Sequence, residues 1–313
     1  MELIRGLHNL QPRHRGCVGT IGAFDGVHLG HQELMTRLVA KGKELALPTV
    51  VICFEPLPCE YFAPAEAPAR LMSFKEKFIA LRKLGIDRVL RVRFDERFRS
   101  MTAEDFIQHV FVDGLEVKYI VVGDDLRFGQ DRKGDTNVLR AAGQKQGFDV
   151  VDTASVLEDS ERISSTRIRQ CLENADFDEA AKLLGKPYSI SGKVVYGRQV
   201  GRTIGIPTAN MELHRFRAVL SGVYAVEVSG FNGNTYHGMA NIGTRPTIGD
   251  SVKAILEVHL LDYSGNLYGK TIDVVFRHRI RDEMKFDSIE ELKITIHADI
   301  EKGREYFNNQ INA

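Results

Sequence analysis

Two histidines three residues apart, His28 and His31, fall within the run Gly22-Ala23-Phe24-Asp25-Gly26-Val27-His28-Leu29-Gly30-His31. A strand-like stretch, Cys17 to Ile21, precedes the run, and a helix-like stretch, Gln32 to Ala46, follows it. A parallel α/β sheet places its ligands where a strand gives way to a helix. The free N–H groups and macrodipole of a helix start also attract anions. Imidazoles at such a junction can add hydrogen bonds or charge to a phosphate, so the run is a candidate nucleotide site. Two plainer readings compete with it. Histidines at a helix start also serve as caps or surface polarity. Residues i and i+3 share a helix face and could share a zinc ion, but no nearby Cys or His cluster supplies a third and fourth ligand. Gly22, Gly26 and Gly30 favour the ligand reading, because they permit tight turns and close backbone approach.

Such a junction needs alternating strands and helices to hold it, and the first half of the chain has that pattern. Strand-like runs lie at 17–22, 49–54, 88–92, 118–122 and 149–152. Between them, Phe74, Phe78 and Leu81 repeat at helical spacing, with Ser73 and Glu76 as a capping box and Gly85 as a stop. Thr102 and Asp105 form a similar start signal. This alternation predicts a mostly parallel sheet with helices on both faces. After Gly185-Lys186-Pro187 the pattern changes to short β-rich runs at 188–196, 222–228, 236–242, 254–261 and 271–276, separated by turn residues. One late helix runs from Ser288 to about Phe307, with Ile289, Leu292, Ile296 and Ile300 as its apolar stripe. Several strands and one helix predict a small barrel covered by that helix. The expected division is an α/β domain over residues 1–185 and a barrel domain over 186–313.

The 313 residues are 43% hydrophobic and carry 42 basic and 42 acidic side chains. A formal charge of zero argues against nonspecific nucleic-acid binding as the main task. No stretch approaches the roughly 18 uninterrupted apolar residues of a membrane helix, and the N-terminus lacks a signal-peptide core. Cys17, Cys53, Cys59 and Cys171 are scattered without a CxxC pair, as expected of reduced thiols in the cytoplasm. Homo-oligomer formation stays open.

Five segments of the first half, in order, resemble the bacterial bifunctional riboflavin kinase/FAD synthetase family. The opening run is similar to the family's GNFDGVHLGH. Phe54-Glu55-Pro56-Leu57-Pro58-Cys59-Glu60-Tyr61-Phe62 is similar to FEPHPREFF. Val122-Gly123-Asp124-Asp125-Leu126-Arg127-Phe128-Gly129 is close to VGDDFRFG, and Gly134-Asp135 follows it. Ile163-Ser164-Ser165-Thr166-Arg167-Ile168-Arg169 matches ISSTRIR completely. The resemblance implies an FMN adenylyltransferase of Rossmann-like, nucleotidyltransferase type, in which FMN and ATP give FAD and pyrophosphate. Such a transfer runs on positioning and charge stabilisation. It implies His28 and His31 at the triphosphate as catalytic residues. Gly22, Phe24, Asp25, Gly30, Ser164, Ser165, Thr166 and Arg167 would hold the nucleotide, and Asp125 and Arg127 the flavin. Asp125 could instead face a bound Mg²⁺, and Asp25 could simply cap the turn. The chain departs from the family at Ala23 (usually Asn), Leu57 (His), Cys59 (Arg) and Leu126 (Phe). A lost amide and guanidinium remove candidate phosphate contacts, each charge-assisted bond being worth roughly 1.5–3 kcal/mol.

The second half carries its own set of motifs. Gly201-Arg202-Thr203-Ile204-Gly205-Ile206-Pro207-Thr208-Ala209-Asn210 is similar to the kinase signature GRxxGFPTAN. Gly222-Val223-Tyr224-Ala225 fits GVYA, Asn241 to Thr247 reads NIGTRPT, and Leu256 to Asp262 reads LEVHLLD. Arg281 and Phe286 fit an RxExxF segment, blurred at Glu283-Met284. The resemblance implies phosphorylation of riboflavin by ATP in a barrel of riboflavin kinase type. Glu257 is then the base for the ribityl hydroxyl, Thr208 and Asn210 the neutral oxygens for Mg²⁺, Gly201 and Gly205 the approach to the phosphates, and Tyr224 and Arg281 flavin contacts. Alternate positions let Thr208 and Asn210 face one side of an extended segment. No Walker A lysine motif is present.

The expected partners are riboflavin, FMN and ATP with Mg²⁺; FMN and FAD are product or substrate, and no nucleic acid or membrane is expected. Two other readings compete with a bifunctional enzyme: a riboflavin kinase with an impaired adenylyltransferase domain, and a non-catalytic flavin sensor.

Overall fold

The structure is a computed structural model. It describes residues 1–197, 205–213, 215, 217–246 and 252–311, and Gly201 therefore lies outside the described residues. The chain forms two compact units: residues 1–68 with 74–164, and residues 69–73 with 165–313.

The first unit contains strands β1 (Glu2–Arg5), β2 (Cys17–Ile21), β3 (Thr49–Glu55), β4 (Arg88–Arg93), β5 (Val117–Gly123) and β6 (Asp149–Thr153). They pair in the order β1-β4-β3-β2-β5-β6, all in parallel. Helices α1 (Leu29–Leu45), α2 (Pro58–Phe62), α3 (Phe74–Lys83), α4 (Glu96–Arg99), α5 (Ala103–Phe106) and α6 (Thr136–Gln146) connect them, with a π-helical turn over Ile107–Val112 and a short hairpin of β7 (Leu157–Glu158) and β8 (Glu161–Arg162). Alternation along the strands sends Val50 and Ile52 to one apolar layer with Phe106, Phe111 and Leu139. Val51 and Cys53 go to the other, with Leu34, Leu38 and Leu81. Both faces are therefore covered, as the sequence predicts. From β2 the chain steps outward through β3 to β4, then returns to place β5 on the other side of β2. That reversal is a topological switch point, where open α/β sheets bind ligands beyond the carboxyl ends of their strands. The five expected strands are present. The added edge strand β1 has one buried side chain, Ile4, and so no readable period.

The second unit begins with α7 (Ser165–Glu173) and α8 (Phe177–Leu184), so the compact unit starts before the expected domain boundary at 185. Strands β9 (Ser189–Val195), β10 (Ala209–Glu212), β11 (Gly222–Ser229), β12 (Tyr236–Pro246), β13 (Val252–Leu260) and β14 (Thr271–Arg281) close into an antiparallel barrel in the order β10-β13-β12-β11-β14-β9. Leu256, Val258, Ala240, Val226, Val274 and Ile190 are among its buried side chains. Helix α9 (Ile289–Ile311) packs Ile296 and Ile300 with Val223, Met239 and Leu261. A Cβ on Gly303 would meet Met239 Sδ at 2.3 Å, so glycine allows this close approach. Ser288 Oγ accepts the Glu291 N–H (3.1 Å) at the start of this helix. The apolar stripe begins later than expected, since Ile289 is 65% exposed.

Candidate active sites

In the first unit the signature loop leaves β2 and enters α1. Gly26 takes φ +88°, and Phe24 and Val27 take φ 47° and 43° although both are non-glycine and buried. Left-handed backbone at such residues costs about 1–2 kcal/mol each and persists where the surroundings over-determine it. The glycines expected to open the loop act differently from one another. Gly26 supplies backbone freedom, whereas a Cβ on Gly22 would lie 2.9 Å from the Phe24 ring and one on Gly30 3.3 Å from the His28 ring.

His28 is the N-cap of α1, its Nδ1 accepting the His31 N–H at 3.4 Å. The two imidazoles stack with centroids 3.6 Å apart, and Phe24 meets His31 edge-on at 5.2 Å. Burial lowers the His28 pKa to about 4, with Arg162 acting in the same direction and Asp125 against it. Burial also holds His31 well below its usual value, assisted by His28, Lys77 and Arg162. His31 Nδ1 is buried without a hydrogen-bond partner. Both rings are therefore neutral near pH 7, so their contribution to an incoming anion is hydrogen bonding rather than full charge. Asp25 is buried, with 4% exposure.

Asp125 pairs with Arg162 (2.8 Å), which also approaches Asp124 (3.5 Å). Arg127 turns back to donate to the Leu126 carbonyl (2.7 Å). Ser164 ends this unit, while Ser165, Thr166 and Arg167 form the first turn of α7 in the second. Arg167 pairs with Glu179 of α8 at 2.7 Å, so a carboxylate already balances its charge.

A pocket of about 610 Å³ lies beside the signature loop. Gly22 and Ala23 form one edge of it. Phe54, Phe62, Phe94, Phe98, Phe106 and Phe128 supply its apolar wall, and Arg99, Arg127 and Arg132 also line it. Cys59, one of the departures from the family pattern, lines the same pocket, while Leu57 is buried. The motif reading did not single out this cage. Its rings come from β3 and from segments following β3, β4 and β5, and three of them, Phe54, Phe62 and Phe128, stand inside recognised motifs.

In the barrel, Asn210 on β10 and Asn241 on β12 are both register partners of Glu257 on β13, so the three side chains form a row across adjacent strands. Asn210 is 6% exposed and its Oδ1 has no hydrogen-bond partner, an unusual state for a buried acceptor. Thr208 lines a separate pocket of about 530 Å³ with Pro207, Tyr263, Ser264, Asn266 and Tyr268. His259 Nδ1 lies 2.8 Å from the Pro207 carbonyl and ties this segment to β13. Gly205 takes φ +81°, and among the described residues nothing lies within 4 Å of its Cβ position.

Two expected flavin contacts are occupied otherwise. Tyr224 is 2% exposed, with its hydroxyl donating to the Ser221 carbonyl (2.8 Å) and its ring packed against Phe177 and Phe276. It packs in the core of the barrel. Arg281 grips Asp299 of α9 through Nε and Nη2, both at 2.9 Å, and stands 5.6 Å from the Phe286 ring. It anchors the terminal helix to β14. Among the described residues no group of three or more His, Cys, Asp or Glu side chains could hold a metal ion.

The FAD synthetase family model matches residues 10–167, and the riboflavin kinase family model matches residues 184–307. The bifunctional riboflavin kinase/FMN adenylyltransferase of Pseudomonas fluorescens is 49% identical over 304 residues, covering 97% of each chain. The protein of the same name from Escherichia coli (strain K12) is 50% identical over 308 residues, covering 98% of each. A solved structure from Streptococcus pneumoniae, described as a macrolide-efflux protein, has 33% identity and a TM-score of 0.75, covering 96% of this chain and 98% of its own. Among the described residues of the present chain, no helix is long and apolar enough to cross a membrane.

Proposed function

Because the chain belongs to the bifunctional riboflavin kinase/FMN adenylyltransferase family, we propose that it carries both reactions in sequence. Riboflavin and ATP give FMN in the barrel; FMN and a second ATP give FAD and pyrophosphate in the α/β unit. The observation that carries this reading is the presence of both family matches, over residues 10–167 and 184–307, in one chain. We place the functional division at residues 1–185 and 186–313, with α7 and α8 assigned to the adenylyltransferase by their motif. A cytoplasmic setting fits the four free cysteines.

In the adenylyl transfer, an oxygen of the FMN phosphate forms a bond to the α-phosphorus of ATP while the bond to the bridging oxygen breaks and pyrophosphate leaves. No enzyme nucleophile is needed. The start of α1 and the imidazoles of His28 and His31 meet the triphosphate, where hydrogen-bond donors fixed in a water-poor site stabilise developing charge. Gly22, Phe24, Asp25, Gly30 and Ser164 are the nucleotide residues of this unit, and the ISSTRIR motif assigns Ser165, Thr166 and Arg167 to the nucleotide as well. The phenylalanine cage beside Gly22 suits the flat isoalloxazine ring, with Arg127 at its wall and Asp125 nearby in the same strand-end loop.

In the phosphoryl transfer, Glu257 takes the proton of the ribityl 5′-hydroxyl as its oxygen bonds to the γ-phosphorus and ADP leaves. The buried, unpartnered Asn210 Oδ1 is the kind of neutral oxygen that Mg²⁺ accepts, and Thr208 offers a second at the adjoining pocket. Bound there with ATP, Mg²⁺ would neutralise phosphate charge. The open backbone at Gly205 allows phosphates to approach.

Purified protein supplied with riboflavin, ATP and Mg²⁺ is expected to form FMN first and FAD second, followed by chromatography. Formation of neither product overturns the assignment. FMN without FAD, also when FMN is supplied directly, overturns its adenylyltransferase half.

A further inference from the structure

One buried charge beside the signature loop has no part in the chemistry described above. Lys77 lies on α3 at helical spacing from Phe74, Phe78 and Leu81, on the face packed into the core, and is 1% exposed. Its ammonium donates to the Ala23 carbonyl at 2.6 Å, within the loop between β2 and α1. That carbonyl is its hydrogen-bond acceptor among the described residues, and none of their carboxylates lies within ion-pair distance of it. An ammonium has three donors, and removing it from water costs several kcal/mol after relaxation, which one neutral carbonyl does not repay. Buried charges without a counter-ion are rare away from ligand sites.

The surroundings identify the missing partner. Lys77 is close enough to act electrostatically on His31, whose Nδ1 is itself buried without a partner. Lys77 holds the loop that leads into α1, and His31 stands in the first turn of that helix, where backbone N–H groups favour an anion. We propose that Lys77 is a phosphate-binding residue of the adenylyl-transfer site, its ammonium being the standing positive charge that meets the triphosphate of ATP or the pyrophosphate product. This inference rests on the adenylyltransferase reading above. The loop carbonyl at Ala23 holds the ammonium in place, and the two stacked imidazoles stay neutral donors beside it. Ala23 then matters through its backbone, so the absence of the family's usual asparagine leaves this contact intact.

The competing role is a tether that fastens the loop to α3 with no part in binding. Lys77→Gln separates the two, because an amide can still donate to Ala23 but carries no charge. FAD formation from supplied FMN is measured for wild type, Lys77→Gln, Lys77→Met and Lys77→Arg, with riboflavin phosphorylation by the same chains as the folding control. The expected result is a fall of about a hundredfold or more in kcat/KM for ATP in both neutral variants, partial recovery in Lys77→Arg, and unchanged FMN formation. Lys77→Gln within threefold of wild type overturns the proposal, whether or not Lys77→Met is impaired. If the neutral variants do not fold, wild type with isotope-labelled lysine supplies the answer. The Lys77 Cε resonance should move on titration with inorganic pyrophosphate, and an unmoved resonance at saturation overturns the proposal. Wild type that makes no FAD fails the adenylyltransferase reading itself, whereas an active wild type with an equally active Lys77→Gln fails only the role given to Lys77.

Discussion

The two phosphate-handling regions of this chain are built from different materials. In the α/β unit, the loop after β2 gathers a buried lysine, two stacked imidazoles and the start of a 17-residue helix. In the barrel, the corresponding row is Asn210, Glu257 and Asn241, and its buried orphan is a neutral oxygen, Asn210 Oδ1. The first region presents donors and positive charge to an anion directly. The second presents acceptors, which suit phosphate only with a cation between them. The contrast follows from the folds. A parallel sheet ends in helix N-termini at its switch point, whereas an antiparallel barrel has no helix dipole aimed at its strands and must import its positive charge.

The strongest break of this comparison is Glu257→Ala. Loss of the base should slow FMN formation by about 10²–10⁴-fold, while FAD formation from supplied FMN stays at wild-type rate. His31→Ala should do the reverse. FMN accumulates and its adenylylation falls by about 10²–10³-fold, the usual cost of one transition-state donor. A time course resolving both products checks each. Loss of both activities in either variant would mean that the sites are not separable, and the comparison would collapse into a single shared centre.

Acid should separate the regions next. The folded-state pKa of His28, about 4, lies below the ordinary imidazole value of 6.5, mainly through burial. Between those values the unfolded chain binds the proton and the folded chain does not. Stability is therefore unaffected above pH 6.5 and is lost progressively as pH falls from 6.5 towards 4, by at most about 3 kcal/mol. Urea titrations of the α/β unit's transition from pH 7 to pH 4.5 should show that loss. His28→Asn, which preserves an N-cap acceptor, should make it shallower, with the remainder left to His31, which burial also holds below its usual value. An unchanged slope in His28→Asn would assign the acid sensitivity to His31 or to other groups.

How much of this was legible in the chain depended on how local each signal was. His28, His31, Thr208, Asn210 and Glu257 stand in compact motifs, and the alternation of strands and helices around them predicted the sheet and the barrel. Tyr224 shows how a motif residue can carry a structural signal. GVYA marks strand β11, but the tyrosine is conspicuous because it fills the core, with its hydroxyl on Ser221. Arg281 likewise has a structural partner that its motif does not show, because Asp299 is 18 residues away on another element. Lys77 carried a usable signal in its place between Phe74 and Phe78 on an apolar helix face. Lysines on amphipathic helices are ordinarily solvated, and only the fold reveals the carbonyl that this one reaches. The phenylalanine cage was hardest to read, because its rings are gathered from three strand ends that only the parallel topology brings together.

That cage also allows the finest test of the comparison, because it belongs to the α/β unit alone. Tyr61 on α2 donates to Glu96 on α4 at 2.9 Å, and Glu96 holds Arg99 at 2.8 Å. Arg99 in turn stands 5.9 Å from the Phe62 ring, and Phe62 contacts Phe94 at 5.7 Å. Hydrogen bonding to Arg99 and Tyr61 keeps the Glu96 carboxyl below its usual range. The clasp joins the two short helices that carry Phe62 and Phe98, both of which line the pocket. It is exposed to solvent, where ion pairs contribute little, so Glu96→Gln should raise the KM for FMN by only about two- to threefold with kcat unchanged. High salt should shrink the difference between wild type and variant, since screening already weakens the pair in wild type. The KM for riboflavin in the kinase reaction should not move. A change in kcat for FAD formation would mean that the clasp shapes the reacting geometry rather than the grip on the flavin.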